Sequence, residues 1–417
     1  MILSGALKTY SENERNIDVK QAIENANGYL HELGFDVSIK TYGSVIKTTQ
    51  CEIINEAGRY SNGLGKGIGD QAIASGMYEA IEHLHSIFSI PPNDLSVEKL
   101  DLDGADNRLQ LSTPDFKRIF GSNDVFFSRK KYNSFNSSED PLSFPYFLTN
   151  PYFNPSDSKE INALNKFSAK RYSTNSGTAC GASLDEAILH GLLEIVERDA
   201  IGIELIRTIF RKAAAPVRRI NLLNLPSQLH SLISVIESET KGRVIIWDIT
   251  NDLNIPVALA SLSVEGEGRY FGSGSSLSFD YAIERALLET VQSFHAHTFN
   301  GKLKPGLGDL DFSRLPNYTR CLLDKGCFGY LGGEELIEDY EKNKINNSIS
   351  SMPIKNQINT IIDRLKSADI SAYWSVLERG SVFVVHIIAP KLERFHLVAR
   401  GVPVAPSHRG RSYLSLS

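Results

Sequence analysis

One pattern occurs three times in the chain, as AIASGMYEAIEH at 72–83, AILHGLLEIVER at 187–198 and AIERALLETVQS at 282–293. Each copy begins with Ala-Ile and carries a Glu that is followed three residues later by Glu or Gln. At about 100° per residue, positions i, i+4 and i+7 of such a segment share one narrow helix stripe. The stripes are Ser75/Glu79/Glu82, His190/Glu194/Glu197 and Arg285/Glu289/Gln292. The repeat therefore predicts three helices, each with one polar line on an otherwise apolar or small surface.

These polar lines indicate a metal site. Buried carboxylates are costly, and without partners their pKa values would rise. Divalent cations and a phosphate-bearing ligand would resolve that conflict, and carboxylate and amide oxygens suit Mg²⁺. A solvated helix face explains the same spacing in a single helix, but three copies in matching context favour the metal site.

A glycine- and serine-containing segment precedes each copy, with the sequences GLGKGIG, NSGTACGAS and GSGSSLS. We expect loops here, including a glycine-rich loop at 61–69, because such loops lead into helix starts that receive anions on free N–H groups. The segment GLGKGIG lacks the spacing of a Walker A motif.

The remaining chain alternates between helical and strand patterns. Helical periodicity covers 17–34 and ends at Gly34, and another helix is expected near 226–240. Strand patterns cover parts of 35–56, 244–274 and 372–390. We predict an α/β fold of mixed sheets packed with helices, in which the three motif helices converge. The expected organisation is a single catalytic domain at 1–417, with core motifs at 61–300 and C-terminal strands and tail at 356–417.

The composition is that of an ordinary globular protein, with 417 residues, 41% hydrophobic and 22% charged. A formal net charge of -5 gives no reason to expect nucleic acid as a partner. The apolar run Val382–Pro390 is too short to span a bilayer, so no membrane association is expected. The N-terminus turns polar after seven residues, and the four cysteines are scattered. These features predict a cytoplasmic enzyme with reduced thiols.

The three motifs resemble the ATP-site motifs of the YcaO family, in the forms GKGIGDQAIASGMYEAIEH, NSGTACGASLDEAILHGLLEIVERD and GSGSSLSFDYAIERALLETVQS. The segment WDITNDLNIP (247–256) resembles that family's strand and turn before the third motif. The resemblance covers about residues 8–300 and continues more weakly to the C-terminus. It implies that the chain binds ATP and Mg²⁺ through clustered carboxylates.

The resemblance also implies a role for individual residues. Arg198 and Arg285 are the implied catalytic residues, which contact phosphate. The implied metal ligands are Glu79, Glu82, Glu194, Glu197, Glu289 and Gln292. The implied nucleotide contacts are Lys8, Ser75, Glu79, Glu186, Glu194, Arg198, Arg285 and Glu289.

Some positions depart from this set or need no special role. Ala182 stands where some members carry Asn, and either Ser183 or Asn175 is expected to replace that polar contact. We interpret His190, His295 and Cys180 as structural residues.

The implied reaction is ATP-dependent phosphorylation of a peptide amide oxygen. The chain resembles the D-subunits of thiazole/oxazole-modified microcin synthetases in length and in its C-terminal strands. This favours cyclodehydration of Cys, Ser or Thr to azolines in a ribosomally made precursor peptide. The implied partners are that peptide, a ubiquitin-activating-like recruiting protein and a flavin dehydrogenase in the same complex.

Two other functions stay open at this point. In thioamidation, sulfide attacks the activated amide with the help of a TfuA-type partner. In the other, the chain is a catalytically idle accessory or assembly protein, against which the complete carboxylate set argues.

The tail at 400–417 contains Pro403 and Pro406 and three arginines. One hypothesis is that residues 401–406 lie against the catalytic cavity and that the arginines Arg400, Arg409 and Arg411 face phosphate or substrate. The alternative is a frayed, solvated terminus.

Overall fold

The structure is a computed structural model that describes residues 10, 14–87, 95–99, 126–166, 168–211, 215–299, 315–324, 335–338 and 352–415. In these ranges the α-helices are α1 Val19–Glu32, α2 Gln71–Ser86, α3 Ser158–Lys166, α4 Leu184–Leu205, α5 Ser227–Thr240, α6 Phe279–Phe299, α7 Asn317–Asp324, α8 Ile354–Ser367 and α9 His408–Ser415. The strands are β1 Phe35–Tyr42, β2 Ile46–Asn55, β3 Tyr60–Ile68, β4 Ser96–Lys99, β5 Phe126–Ser134, β6 Leu142–Pro145, β7 Thr178–Gly181, β8 Val217–Ile220, β9 Arg243–Asp248, β10 Val257–Val264, β11 Gly268–Ser275, β12 Glu335–Glu338, β13 Tyr373–Arg379 and β14 Phe383–Ile388. Short 3₁₀ turns and one π-helical turn (Ile206–Phe210), which extends α4, complete the secondary structure.

The described strands form three sheets. Their orders are β1-β2-β3, then β11-β10-β9-β8-β12, then β4-β5-β13-β14-β7 with β6 paired to β5. The pairs are antiparallel except for β8 and β12, which are parallel. The predicted α/β fold of mixed sheets packed with helices is confirmed.

The three motif segments are three strand–helix units, one from each sheet. β3 leads into α2, β7 into α4 and β11 into α6, and each of these strands lies at one end of its sheet's strand order. Each motif helix also contacts the strand of the next unit: α2 contacts β7, α4 contacts β11, and α6 contacts β3. The dispersed repeat of the sequence is thus a cyclic arrangement in which the three helices face a common centre.

The glycine-rich segments before these helices are largely strands, which corrects the predicted loops. β3 contains the residues at 61–68, and β11 contains GSGS. A Cβ at Gly63 or Gly65 would collide with the backbone of α2 around Gly76, and one at Gly272 would collide with that of α6. Glycine at alternate strand positions therefore brings strand and helix backbones into direct contact, which places the helices over the sheet edges.

The helix expected at 17–34 is present as α1. Helix α1 is capped by the Asp18 carboxylate, which accepts the Gln21 N–H at 2.9 Å, and ends before Gly34 with φ +70°. Among the described residues, Cys51, Cys180 and Cys321 are buried and form no disulfide, whereas Cys327 lies outside the described residues. Among the helices in the described ranges, none has the length and apolar character that crossing a membrane requires.

Candidate active site

The three motif helices converge on one cavity of about 660 Å³. Its walls carry the polar line of each helix, as the sequence predicts. The predicted site residues that line it are Ser75, Glu79, Glu82, Glu194, Glu197, Arg198, Arg285, Glu289 and Gln292. The burial of the helices around this line explains why their other faces are apolar: Met77 and Ile81 of α2 are fully buried.

The last position of each stripe connects its helix to the strand of the next unit. Glu82 of α2 faces the backbone N–H of Cys180 in β7. Glu197 of α4 accepts the Ser273 hydroxyl of β11 at 2.7 Å. The Gln292 amide of α6 donates to the Leu64 carbonyl of β3. These equivalent contacts close the ring of three units and fix the side chains at the wall of the cavity.

The middle position of each stripe carries a carboxylate that faces the cavity. Glu79 is 38% exposed, and Glu194 and Glu289 are each 28% exposed. Burial raises the pKa of Glu79 and of Glu194, although His83 and Arg198 respectively oppose the shift. Burial acts on Glu289 as well, but Lys66 and Arg198 outweigh it and lower the pKa of that carboxyl. Lys66 Nζ lies 2.5 Å from Glu289 Oε2.

Like charges crowd the first helix in particular. Burial, followed by the charges of Glu194 and Glu79, raises the pKa of Glu82 well above its ordinary value. Within the described ranges, no three or more His, Cys, Asp or Glu side chains form a ready-made metal cluster. The carboxylates are instead spread around the cavity and are partly paired with Lys66 and Arg198.

Two arginines line the cavity beside these carboxylates. Arg198 lies 3.6 Å from Glu194 and 3.2 Å from Glu197, measured between guanidinium nitrogens and carboxylate oxygens. Arg285 lies 3.7 Å from the carboxylate of Glu14. Both guanidinium groups line the cavity, where they are placed to receive an anionic group.

The segment at 14–16 supplies site residues that the sequence analysis missed. Arg15 lines the cavity, donates to Glu186 at 2.7 Å and lies 2.6 Å from His190 Nε2. Burial and the charge of Arg15 hold the pKa of His190 well below its usual range, so its neutral ring accepts this bond. Glu186 is 4% exposed, lies behind Arg15 and is not part of the cavity lining. Lys8, the predicted nucleotide contact from the N-terminus, lies outside the described residues.

Ser183 and Asn175, the two candidates for the polar contact that Ala182 cannot make, have different positions. Ser183 caps α4, since its hydroxyl accepts the Glu186 N–H at 3.2 Å and also the side-chain amide of Asn16. Asn175, in contrast, lines the cavity. Of the two residues proposed, Asn175 is the one that is placed to contact a ligand.

The C-terminal tail is docked rather than frayed. Leu397, Arg400 and Val402 line the cavity, so the tail reaches it at one residue of 401–406. Arg409 does not face it: its guanidinium binds Asp199 at 2.8 Å and Asp252 at 2.5 Å. These two carboxylates attract Arg409 away from the site, which corrects the expectation for this arginine.

The residues present fit Mg²⁺ and a nucleotide. The cavity volume is in the range of small-molecule sites. Its carboxylates are held near one another at an electrostatic cost that a divalent cation would relieve. Within the described residues, two buried polar atoms of cavity-lining residues, the Tyr78 hydroxyl and Arg198 Nε, have no hydrogen-bond partner.

Comparison with known proteins agrees with this geometry. Residues 64–393 match the model of the YcaO family, which is described as YcaO cyclodehydratase, ATP- and Mg²⁺-binding. An uncharacterized protein of Methanothermobacter thermautotrophicus is 25% identical over 349 residues, which cover 82% of this chain and 84% of that protein.

Solved structures share the fold. YcaO from Methanopyrus kandleri, bound with AMPPCP and Mg²⁺, aligns with a TM-score of 0.66 at 18% identity, over 94% of this chain and 96% of that one. A heterocyclase in complex with substrate and cofactor aligns with a TM-score of 0.64 at 16% identity, over 91% of this chain and 53% of that one. The E. coli microcin synthetase McbBCD complex aligns with a TM-score of 0.57 at 15% identity, over 86% of this chain and 88% of that one.

The family description agrees with the predicted cofactors, ATP and Mg²⁺. The match covers most of the chain and includes all three motifs, whose helices surround the cavity. This chain belongs to the YcaO family.

Proposed function

We propose that this protein is an ATP- and Mg²⁺-dependent peptide cyclodehydratase, which converts Cys, Ser or Thr residues of a ribosomally made precursor peptide to azolines. The observation that carries the proposal is the ring of carboxylates from three helices, with Arg198 and Arg285 beside it, around one cavity. An arrangement of this kind suits a metal-bound triphosphate, and the family description supports the same chemistry.

The metal would be held by the oxygen atoms of the polar lines. These belong to Glu79, Glu82, Glu194, Glu197, Glu289 and Gln292. When bound, Mg²⁺-ATP supplies a phosphoryl group that turns the poor leaving oxygen of an amide into a good one. Binding of the cations would also offset the burial and the carboxylate repulsion that raise the pKa values of Glu79 and Glu82.

The cationic residues would hold and orient the phosphates. Arg15, Arg198, Arg285 and Arg400 all line the cavity. We also assign a nucleotide contact to Arg15, beside the one expected of Lys8, because its guanidinium lies against the start of α4. Charge that develops on the transferred group would be stabilised by these fixed guanidinium groups.

The attacking group would come from the peptide itself. In cyclodehydration, a side-chain thiol or hydroxyl of the peptide adds to the activated amide carbon, and the former amide oxygen leaves with phosphate. The enzyme then needs no nucleophile of its own. This agrees with Cys180, the cysteine within a motif, whose thiol pKa burial raises well above its usual range.

Partner proteins form part of the proposal. The structural relatives include a heterocyclase solved with substrate and the multi-subunit McbBCD complex. We infer that a ubiquitin-activating-like protein recruits the precursor peptide for this chain, and that a flavin dehydrogenase in the same complex oxidises the azolines.

The proposal is tested by co-expression with a candidate precursor peptide that is rich in Cys, Ser and Gly, followed by mass spectrometry of the peptide. Cyclodehydration lowers the mass by about 18 Da per site, whereas attack by sulfide raises it by about 16 Da. An unchanged peptide mass in the presence of the recruiting partner would refute both reactions and leave an accessory role.

The matched control is Glu197→Gln in the same co-expression. Glutamine keeps the hydrogen bond with Ser273 but removes one charge from the cavity. We expect the control to leave the peptide unmodified while the protein is produced at the normal level.

A further inference from the structure

A second, much smaller cavity lies behind the main one. Its volume is about 30 Å³, and Arg198 lines both cavities. The other polar side chains around it include Thr174, Ser176, His386 and His396. A space of this size holds at least one water molecule if two or more polar groups face it.

His396 is the unusual group in this cavity. The residue is only 5% exposed, on the 3₁₀ turn Phe395–Arg400 that leads to the cavity-lining Arg400. Within the described residues, no group meets strict hydrogen-bond geometry with either ring nitrogen, although the Glu393 backbone lies close enough to accept a weak hydrogen bond from one of them. Leaving a buried imidazole without partners costs free energy, so water is expected to satisfy it.

Arg198 lines the same cavity and offers the hydrogen-bond donors that the His396 ring can complement. Arg198 Nε is also buried and, within the same described ranges, also lacks a hydrogen-bond partner, since Glu194 lies 3.6 Å away. Arginine only donates hydrogen bonds. Burial and the charges of Arg198 and Arg400 hold the pKa of His396 well below its usual range, so its ring is neutral and offers an acceptor nitrogen.

We propose that an ordered water molecule in this cavity links Arg198 to His396, which makes His396 a positioning residue for the phosphate-contacting guanidinium. The water accepts an N–H of Arg198 and donates to the acceptor nitrogen of His396. The second nitrogen of the ring remains a donor, directed to the cavity or to the nearby backbone.

The water-mediated contact would hold Arg198 in place against the charges around it. Glu194 and Glu197 both attract this guanidinium on the side of the main cavity. When those carboxylates turn to a metal, the contact from behind keeps Arg198 from following them. This positioning role rests on the proposed function, whereas the water site depends only on the contacts around Arg198 and His396.

His386 provides an internal comparison. It lines the same cavity and is also buried, but its Nδ1 lies 2.8 Å from the Tyr132 hydroxyl and its Nε2 lies 3.3 Å from the Ser176 carbonyl. Both of its nitrogens are therefore satisfied by protein groups. A substitution at His386 disturbs the cavity wall without removing a partner from Arg198.

The water site is tested by a high-resolution crystal structure of the full chain without nucleotide. We expect density for a water within hydrogen-bond distance of both His396 and Arg198. A cavity without such density, or a direct bond from another residue to the acceptor nitrogen of His396, would overturn the site whatever the enzyme does.

The positioning role is tested by the dissociation constant of Mg²⁺-ATP, measured by calorimetry on the wild type and three variants. We expect His396→Phe to weaken binding by about 5- to 10-fold, the worth of one water-mediated hydrogen bond to a charged group. His396→Gln, which keeps an acceptor, should lie within about twofold of the wild type, as should His386→Phe.

The outcomes separate the two proposals. Equal losses in His396→Gln and His396→Phe, or none in either, would refute the positioning role even if the wild type binds ATP normally. A wild type that binds no Mg²⁺-ATP would refute the proposed function and the positioning role, and the crystal structure would still decide the water site.

Discussion

Replacing Glu284 with glutamine should stabilise the protein at alkaline pH and do little at acidic pH. Glu284 lies in the third motif helix, is only 2% exposed and lines the main cavity. Its Oε2 accepts the backbone N–H of Tyr10 at 3.0 Å. Burial outweighs this hydrogen bond and raises the pKa of Glu284 from 4.5 to about 7.

The size of the effect follows from linkage. A carboxyl with a raised folded-state pKa contributes stability that is fully present below its unfolded pKa and is lost as pH rises through the folded pKa. The folded protein binds the proton more tightly, so the free energy of unfolding falls between the two values. With a shift from 4.5 to about 7, the loss approaches about 3 kcal/mol at high pH. Glutamine stays neutral at every pH, so the variant does not lose this stability as pH rises.

The assay is urea unfolding of the nucleotide-free wild type and of Glu284→Gln at about pH 5 and about pH 8.5. The free energy of unfolding of the variant minus that of the wild type should be about 2–3 kcal/mol larger at the higher pH than at the lower pH. A difference that is the same at both pH values would refute the reasoning, because it would show that Glu284 titrates normally.

Glu139→Gln is the control with the opposite sign. Burial acts on this carboxyl too, but hydrogen bonds from Ser371 and Tyr373 outweigh it and lower the pKa of Glu139. Its contribution is present above the unfolded pKa and is lost as pH falls, so the variant should lose stability at neutral pH and match the wild type in acid.

Further substitutions test the catalytic site and the tail. Glu79→Gln and Glu197→Gln should abolish ATP hydrolysis in a folded protein, and wild-type turnover in either would contradict the assignment. Without metal, Glu82→Gln should raise the melting temperature, because burial and neighbouring carboxylates oppose its charge; a lowered temperature would indicate that the charge is stabilising. Arg400→Gln should weaken Mg²⁺-ATP binding several-fold by calorimetry, and an unchanged dissociation constant would show that the tail does not contribute to the site. Deletion from Gly401 should lower the melting temperature strongly, because it removes the hydrogen bonds that other tail residues make to buried carboxylates.

The motif helices could be predicted from the sequence because their signal is periodic. The stripe at i, i+4 and i+7 placed Glu79, Glu194 and Glu289 on one face each, and the structure brings all three to one cavity. The glycine content before the helices predicts loops, because glycine is common in turns. The spacing of two residues, as in Gly63 and Gly65, instead indicates a strand whose backbone contacts a helix directly.

Other site residues could not be found in this way. Arg15 and Lys66 come from the N-terminal segment and from strand β3, and no local pattern connects them to the three stripes. Only the packing of distant segments brings their charges to the carboxylates. For the same reason, no local pattern indicates that Arg409 is held by Asp199 and Asp252 and not by a ligand.

The most direct measurement of the central claim is calorimetric titration of the wild type and Glu197→Gln with ATP, with and without Mg²⁺. If the three helices form one metal–nucleotide site, the wild type binds ATP tightly only with Mg²⁺, and the variant binds at least about tenfold more weakly. Equal affinity with and without Mg²⁺, unaffected by the loss of the Glu197 charge, would contradict the account.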